Sequence, residues 1–278
     1  MRRFVNFVLV LALLAGLGVL LYPTVSDQYN QYLNAKRISQ YSRAAERLDP
    51  VECARILEEC AAYNEALRAP VIEDAFSGEE EEDDSEYTEY MRLLNPNRDG
   101  VMGVLEIPRI GVRLPIYHGT GSDALERGVG HMESTSLPVG GPSTHAAFAG
   151  HRGLPAARLF TDLDQMQLGD LFYINVLNQN LVYRVDQILV VEPYEMDTLA
   201  IAPGEDHVTL VTCTPYGINT QRLLVRGIRA PLTDISELLA VEDDVEIMSL
   251  ERSILIFGAP VFLIGFLVVA ITGRRRYW

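Results

Sequence analysis

Two stretches of the chain are continuously apolar, and polar and charged positions occur throughout the region between them. Phe4 to Leu21 and Ile254 to Ile271 contain no charged residue, and each approaches the ~20 residues with which a helix crosses a bilayer. The pattern therefore predicts two transmembrane helices. The first stretch could instead be a cleaved signal peptide, because Arg2 and Arg3 supply a basic start. Its apolar run continues past the internal small residues, which favours an uncleaved anchor.

The region after the first apolar stretch has a helical texture. Residues 24–48 are polar and helix-prone, and Asp49 followed by Pro50 is typical of a helix N-terminus. The helix predicted from there runs to Ala69 and stops at Pro70. Residues 79–84 are six consecutive acids, which is typical of a solvated segment and predicts a boundary between the helical region and the next domain.

From Gly100 to Ala230 the pattern changes to short β-type runs separated by glycine and proline. Seven runs are predicted as strands: 101–107, 113–118, 144–149, 171–176, 181–192, 207–213 and 221–227. Closely spaced strands with few helices between them indicate a closed barrel or a sandwich. The predicted fold is therefore mainly β.

The charge distribution adds a topology to this picture. Arg2 and Arg3 precede the first apolar stretch and Arg274, Arg275 and Arg276 follow the second, so the positive-inside rule predicts two cytoplasmic termini. The region between them would then lie outside the cell. It holds all 38 acidic residues and 18 of the 23 basic ones, a formal charge of −20, which disfavours nucleic acid or anionic lipid as its partner.

Three cysteines differ in their settings. Cys53 and Cys60 lie seven residues apart on one predicted helix, a rise of about 10 Å, which is too far for a disulfide. Cys213 ends a predicted strand, and a hairpin would return Arg222 towards it. A neighbouring guanidinium favours the thiolate, the nucleophilic form of cysteine. The alternative is a small apolar residue in a barrel wall beside a solvated arginine, and this local pattern does not decide between the two.

A nucleophilic cysteine usually works with an imidazole. Of the five histidines, His151 is the best placed, because it lies in a loop directly after a strand, where side chains can converge on a site. The others are interpreted as structural or as loop hydrogen-bonding residues: His118, His131, His145 and His207. No histidine and cysteine cluster has the spacing of metal ligands, so neither a metal nor another cofactor is predicted.

The residues around these positions resemble the sortase family of cysteine transpeptidases. TLVTC at 209–213, Arg222 nine positions later and His151 within GHRGLP carry the resemblance. Longer segments resemble class C, pilus-building sortases: GVLEIPRIGVRLPIYHGT, GVGHMESTSLPVGG, GHRGLPAARLFTDLDQMQLGD and TLVTCTPYGINTQRLLVRG. Several long segments in order, over residues 100–230, are more specific than one short motif.

The resemblance implies an eight-stranded β-barrel that cleaves an LPXTG-like sorting signal between threonine and glycine. Cys213 would form a thioacyl intermediate, and His151 would protonate the leaving amine and deprotonate the incoming one. Arg222 would hold the substrate and stabilise the oxyanion. In class C the acceptor is a lysine of a pilin subunit, so pilins and the lipid bilayer are the expected partners, without nucleic acid. The expected location is the cell membrane of a Gram-positive bacterium.

Class C sortases also have a lid with an Asp-Pro-aromatic motif, to which Asp74–Ala75–Phe76 corresponds here. Asp74 would pair with Arg222, and Phe76 would cover Cys213. Alanine in place of proline restores backbone freedom, so this lid is expected to open more readily. The alternative is that these three residues form an unrelated loop.

The predicted organisation has five parts: an anchor (1–23), an extracellular helical region with the lid (24–99), the sortase β-barrel catalytic domain (100–232), a connector (233–252), and a transmembrane helix with a basic cytoplasmic tail (253–278). Two rival functions remain. One is a housekeeping-type sortase that attaches surface proteins to peptidoglycan, which the second span disfavours. The other is a non-catalytic, membrane-tethered barrel that binds a partner.

Overall fold

The computed structural model of the chain describes residues 2–67, 72–76 and 88–231. The second predicted span, the connector 233–252 and the acidic run 79–84 lie outside the described residues, so the five-part organisation stays a prediction. The described part consists of an N-terminal helical region followed by a β-barrel.

The first helix, α1 (Arg2–Glu46), joins the predicted anchor to the helical region without a break. Proline at position 23 removes one backbone donor, and the helix continues through it. Among the described residues, α1 is the only helix long and apolar enough to cross a membrane.

The second helix, α2 (Pro50–Ala66), begins as predicted. The Asp49 side chain accepts a hydrogen bond from the Val51 amide at 2.9 Å and caps the helix. The helix ends at Ala66, three residues before the predicted end. Cys53 and Cys60 are both buried, and neither forms a disulfide in this structure.

Two buried side chains attach these helices to the barrel. The Tyr41 hydroxyl donates to the Met102 carbonyl and accepts from the Leu177 amide, both at 2.8 Å. The Asn64 amide donates to the Leu137 carbonyl at 3.0 Å and accepts from the Leu137 amide at 2.7 Å. Buried backbone groups of the barrel therefore depend on the helical region for their partners.

Eight strands close the barrel in the order β1-β2-β3-β4-β7-β8-β6-β5. They are β1 (Val101–Ile107), β2 (Val112–His118), β3 (Val129–His131), β4 (Thr144–Ala149), β5 (Leu171–Val176), β6 (Gln179–Val191), β7 (Asp206–Thr214) and β8 (Gln221–Ala230). Two short helices, α3 (Glu89–Arg92) and α4 (Ser122–Arg127), lie before β1 and between β2 and β3. The predicted mainly β, eight-stranded fold is confirmed.

One of the eight observed strands was not among the seven predicted from the sequence pattern. β3 has three residues, one of them glycine, and pairs in parallel with β2. Three residues are too few to show an alternation of buried and exposed positions. His131, interpreted from sequence as a loop residue, therefore ends a buried strand.

The strands that carry the candidate site have two different faces. Ala146, Phe148, Val208 and Leu210 belong to the main core cluster. The alternate positions Ala147, Ala149, Val211 and Leu224 form a second cluster, against which Ile72, Ala75 and Phe76 pack. Because successive residues of a strand point to opposite faces, Cys213 lies on the Val211 face and Arg222 on the Leu224 face. The described segment 72–76 therefore lies over this second face.

Candidate active site

Cys213 and Arg222 are direct partners across the antiparallel pair of β7 and β8. On the other side of β7, the parallel strand β4 pairs Ala149 with Val211. His151 lies two residues beyond Ala149, as Cys213 lies two beyond Val211. Neighbouring strands are about 4.8 Å apart, so three adjacent strands bring His151, Cys213 and Arg222 to the same end of the barrel.

The loop after β4 is attached to β7 by hydrogen bonds on both sides of Gly150. Its amide donates to the Val211 carbonyl at 3.0 Å, and its carbonyl accepts from the Thr212 hydroxyl at 2.7 Å. The Phe160 ring lies so close that a Cβ at Gly150 would be 2.6 Å from it. Glycine is therefore required here, and it sets the position of His151, whose carbonyl accepts from the Phe160 amide at 3.1 Å.

Arg152 was not singled out from the sequence, although it is next to His151. Its guanidinium is buried, pairs with Asp164, and donates to the Thr161 carbonyl at 3.1 Å and to the Thr214 hydroxyl at 3.3 Å. It therefore joins the histidine loop to the residue that follows Cys213. An arginine adjoining the candidate histidine was the only signal in the sequence that could have indicated this role.

Asp74 forms a bidentate ion pair with Arg222. The guanidinium Nε and Nη2 donate to the two carboxylate oxygens, each at 2.7 Å, and both side chains are about nine-tenths buried. Arg222 Nη1 also donates to the carbonyls of Asn219 and Gln221, at 3.1 and 3.0 Å. All three nitrogens of this arginine are therefore occupied within the protein.

Phe76 lies against two of the three predicted catalytic residues. Its ring centroid is 5.6 Å from that of His151 and 5.2 Å from Arg222 Cζ, within the range of a cation–π contact. Cys213 is only 8% exposed. The segment that resembles the class C lid is thus placed on the candidate site, with Asp74 and Phe76 both in contact with it.

The electrostatic setting favours the uncharged forms of the thiol and the imidazole. Burial raises the pKa of Cys213, Asp74 raises it further, and the neighbouring Arg222 opposes both effects. Burial lowers the pKa of His151, with Glu126 acting in the opposite direction. The hydrogen bonds that Arg222 donates to Asp74 are the main cause that raises the pKa of Arg222, which stays protonated. A neutral thiol and a neutral imidazole therefore dominate near neutral pH.

The other four histidines lie away from this arrangement. Three contact backbone carbonyls: His118 with Gly100 and Leu93, His131 with Ser136, and His145 with Ala200. His207 packs against His145. Within the described residues, no group of three His, Cys, Asp or Glu side chains could hold a metal ion.

Comparisons with known proteins agree with this geometry. The family model of the sortase domain matches residues 105–230. Among solved structures, the chain is similar to sortase C1 of GBS pilus island 1, with 46% identity, a TM-score of 0.65, and coverage of 71% of this chain and 92% of that one. It is also similar to sortase C-1 of Actinomyces oris, with 46% identity, a TM-score of 0.63, and coverage of 66% and 100%.

Curated sequences match over a smaller part. Sortase A of Streptococcus agalactiae is 30% identical over 130 residues, which is 46% of this chain and 52% of that protein. Sortase D of Bacillus subtilis is 26% identical over 137 residues, which is 48% of this chain and 66% of that protein. The chain thus spans between half and two thirds of the length of these curated relatives.

Proposed function

Because this chain belongs to the sortase family, with class C sortases as its solved structural neighbours, we propose that it is a cysteine transpeptidase that polymerises pilins. It would cleave an LPXTG-like sorting signal between threonine and glycine and transfer the threonine carbonyl to a lysine amine of another pilin. The observation that carries this proposal is the convergence of His151, Cys213 and Arg222 from three adjacent strands.

The chemistry follows from what each side chain can do. His151 takes the proton of the Cys213 thiol, and the resulting thiolate attacks the threonine carbonyl. The bond to glycine then breaks while His151 gives that proton to the leaving amine. The pilin lysine then attacks the thioester and gives a proton to His151, and the carbon–sulfur bond breaks as the isopeptide bond forms. Arg222 donates to the oxyanion in both steps, because its fixed fork of donors suits a carbonyl oxygen that becomes charged.

Asp74 and Phe76 occupy the site in the state described. Asp74 holds the Nε and Nη2 donors that an oxyanion would need, and Phe76 lies against His151. We infer that the segment 72–76 acts as a lid that must move before substrate binds. Alanine at position 75 leaves its backbone freer than proline would, which supports a lid that opens readily.

The proposed setting is the membrane of a Gram-positive bacterium, with the barrel outside the cell. The apolar α1 supports the N-terminal anchor, and the basic residues at both ends of the sequence support a two-pass topology with cytoplasmic termini. Pilins that carry sorting signals and an acceptor lysine are the proposed partners.

The experiment that tests this function incubates the full-length protein with purified pilin and separates the products under denaturing conditions. Covalent ladders of high mass are expected, and Cys213→Ala should abolish them. Cys53→Ala, which removes a thiol far from the site in α2, should leave them intact. Product formed only with a peptidoglycan-type amine would instead indicate the housekeeping-type function. Failure to form a thioester with any sorting peptide would indicate a non-catalytic barrel.

A further inference from the structure

The long helix α1 determines which end of the barrel is closest to the predicted membrane span. The backbone amide of Arg158 donates to the Asp27 carboxylate at 2.9 Å, and the side-chain amide of Asn30 donates to the backbone carbonyl of Ala156 at 2.8 Å. Asp27 and Asn30 lie six and nine residues beyond Leu21 on the same helix, which corresponds to about 9 and 14 Å along its axis. Residues 156–158 are therefore held a short distance beyond the apolar run.

Residues 156–158 belong to the loop that carries His151. The far end of the barrel meets α1 much later, where the Leu177 amide donates to Tyr41 and Asn178 donates to the Ala45 carbonyl at 3.3 Å. These contacts are about 30 and 36 Å beyond Leu21 along the helix.

The strand register independently gives the same direction. Asn178 precedes the start of β6, and the other end of β6, Val191, pairs with Arg222. The end of the barrel that holds Cys213 and Arg222 is thus opposite the Asn178 turn. It is therefore the end nearest the apolar run of α1.

The turn between β7 and β8 gives this end an exposed apolar surface. Tyr216 is 59% exposed and Ile218 is 68% exposed. The Tyr216 ring packs on the histidine loop, where a Cβ added to Gly153 would lie 3.1 Å from it, and Arg152 Cζ lies 5.8 Å from its centroid. The turn and the histidine loop therefore form one surface next to the catalytic residues.

The basic side chains on this surface are already paired. Arg152 forms an ion pair with Asp164, and Arg158 forms one with Asp162. What the surface offers to a partner is therefore an aromatic ring and a branched aliphatic side chain rather than free positive charge. Tyrosine is enriched where proteins meet the boundary between lipid and water, and α1 itself exposes Tyr22, Tyr29 and Tyr32 just beyond its apolar run.

We propose that Tyr216 and Ile218 contact the surface of the bilayer that α1 spans, so that the catalytic end of the barrel faces the membrane. The polar layer on each side of a bilayer is about 5–8 Å thick. The attachment points of the histidine loop on α1, about 9 and 14 Å beyond Leu21, therefore lie about 1–9 Å beyond that layer. The contact is apolar and interfacial, which is compatible with the formal charge of −20 between the two apolar stretches. It requires α1 as an anchor and does not depend on the proposed reaction.

Depth-dependent fluorescence quenching tests this contact in the full-length protein reconstituted in nanodiscs. The chain has a single tryptophan, Trp278, so Trp278→Phe provides a background in which Ile218→Trp reports from the turn. A matched probe, Asn178→Trp, reports from the opposite end of the barrel. Brominated lipid should quench the Ile218→Trp probe strongly and the Asn178→Trp probe weakly, and the emission of the former should shift to shorter wavelength.

The same comparison with zwitterionic and with anionic lipid separates an apolar contact from an electrostatic one. Similar quenching at position 218 in both lipids supports the proposal. Quenching that appears only in anionic lipid would overturn it, as would equal quenching of the two probes. Quenching of neither probe would also overturn it and would leave the exposed turn to a protein partner. If Ile218→Trp unfolds the protein, Tyr216→Trp provides a second probe on the same turn.

Discussion

At the residue scale, the site is determined by a competition between Asp74 and the thiol for one guanidinium. Arg222 lowers the pKa of Cys213, whereas burial and Asp74 raise it. The bidentate pair at 2.7 Å occupies the donors that would otherwise stabilise a thiolate or an oxyanion. The Asp74 carboxylate therefore opposes the thiolate in two ways, by its charge and by its occupation of the donors.

This balance predicts the effect of Asp74→Asn on the reactivity of Cys213. Without the carboxylate, the pKa of the thiol falls, and a larger fraction is thiolate at pH 7. The alkylation rate should rise severalfold, and its pH profile should move to lower pH. The rate and its pH profile are measured by alkylation with a thiol reagent between pH 6 and 10, with the stopped reactions analysed by mass spectrometry. Both proteins also carry Cys53→Ala and Cys60→Ala, so that Cys213 is the cysteine that reacts.

In the same experiment, two further variants separate the electrostatic effect of Asp74 from the steric covering of the site by Phe76. Glu73→Gln removes a neighbouring exposed carboxylate and should leave the profile unchanged. Phe76→Ala removes the ring over His151 and Arg222 and should raise the rate by exposing the site. Unchanged rates in Phe76→Ala would remove the covering role of the segment, and an unchanged profile in Asp74→Asn would remove its electrostatic role.

At the scale of the elements, the sequence predicted the helices and strands whose signal extends over several residues. It did not predict an element of three residues. Seven strands were predicted from short β-type runs between glycines and prolines, and the start of α2 was predicted from the Asp49–Pro50 pair. The three-residue strand β3 escaped because it has no period and is paired only through the tertiary fold.

The candidate site shows the same division. His151, Cys213 and Arg222 were identified from their sequence context, and the predicted hairpin already returned Arg222 towards Cys213. The approach of His151 is visible only in the parallel pairing of β4 with β7. Arg152 was missed because its role depends on Thr161, Asp164 and Thr214, which are separated from it by 9 to 62 residues. Nothing local in the sequence joins these residues.

Attachment of α1 to the barrel predicts a stability effect of Tyr41→Phe. The hydroxyl is buried and satisfies both the Met102 carbonyl and the Leu177 amide. Its removal leaves two buried backbone groups without this partner, which costs about 1–3 kcal/mol. Thermal unfolding in detergent should show a fall in Tm of roughly 2–10 °C.

The matched control for this variant is Tyr32→Phe, because Tyr32 lies on the same helix and is exposed. It should leave Tm unchanged. Equal melting temperatures for Tyr41→Phe and the parent protein would mean that α1 is held to the barrel without this hydroxyl. The loss of the Tyr41 hydroxyl as the partner of the Met102 carbonyl and the Leu177 amide would then not lower the free energy of unfolding.

At the scale of the whole molecule, buried histidines couple folding to pH. His131 and His145 are fully buried, and burial lowers the pKa of each to about 4. The carbonyls of Ser136 and Ala200 oppose this effect. His207 and Arg226 lower the pKa of His145 further, whereas Asp186 raises it. Both histidines are therefore neutral in the folded protein under conditions in which an exposed histidine would be charged.

The sign of the resulting pH dependence follows from proton uptake. In the unfolded chain these histidines bind protons near the ordinary pKa of about 6.5, so between pH 6.5 and 4 the unfolded state holds more protons than the folded one. The stabilisation is complete above pH 6.5 and is lost as the pH falls towards 4. A shift of this size corresponds to about 3 kcal/mol for each residue.

His145→Gln tests this coupling while it keeps one donor and one acceptor for Ala200 and Thr209, the partners of the imidazole. Chemical unfolding at several pH values between 4 and 8 should show that the parent loses stability on acidification more steeply than the variant. The difference in slope should approach about 1.4 kcal/mol per pH unit, the value for one proton. The excess of acidic residues changes stability with pH in both proteins alike, so it cancels in the comparison. Parallel curves for the two proteins would show that His145 binds protons equally in the folded and unfolded states.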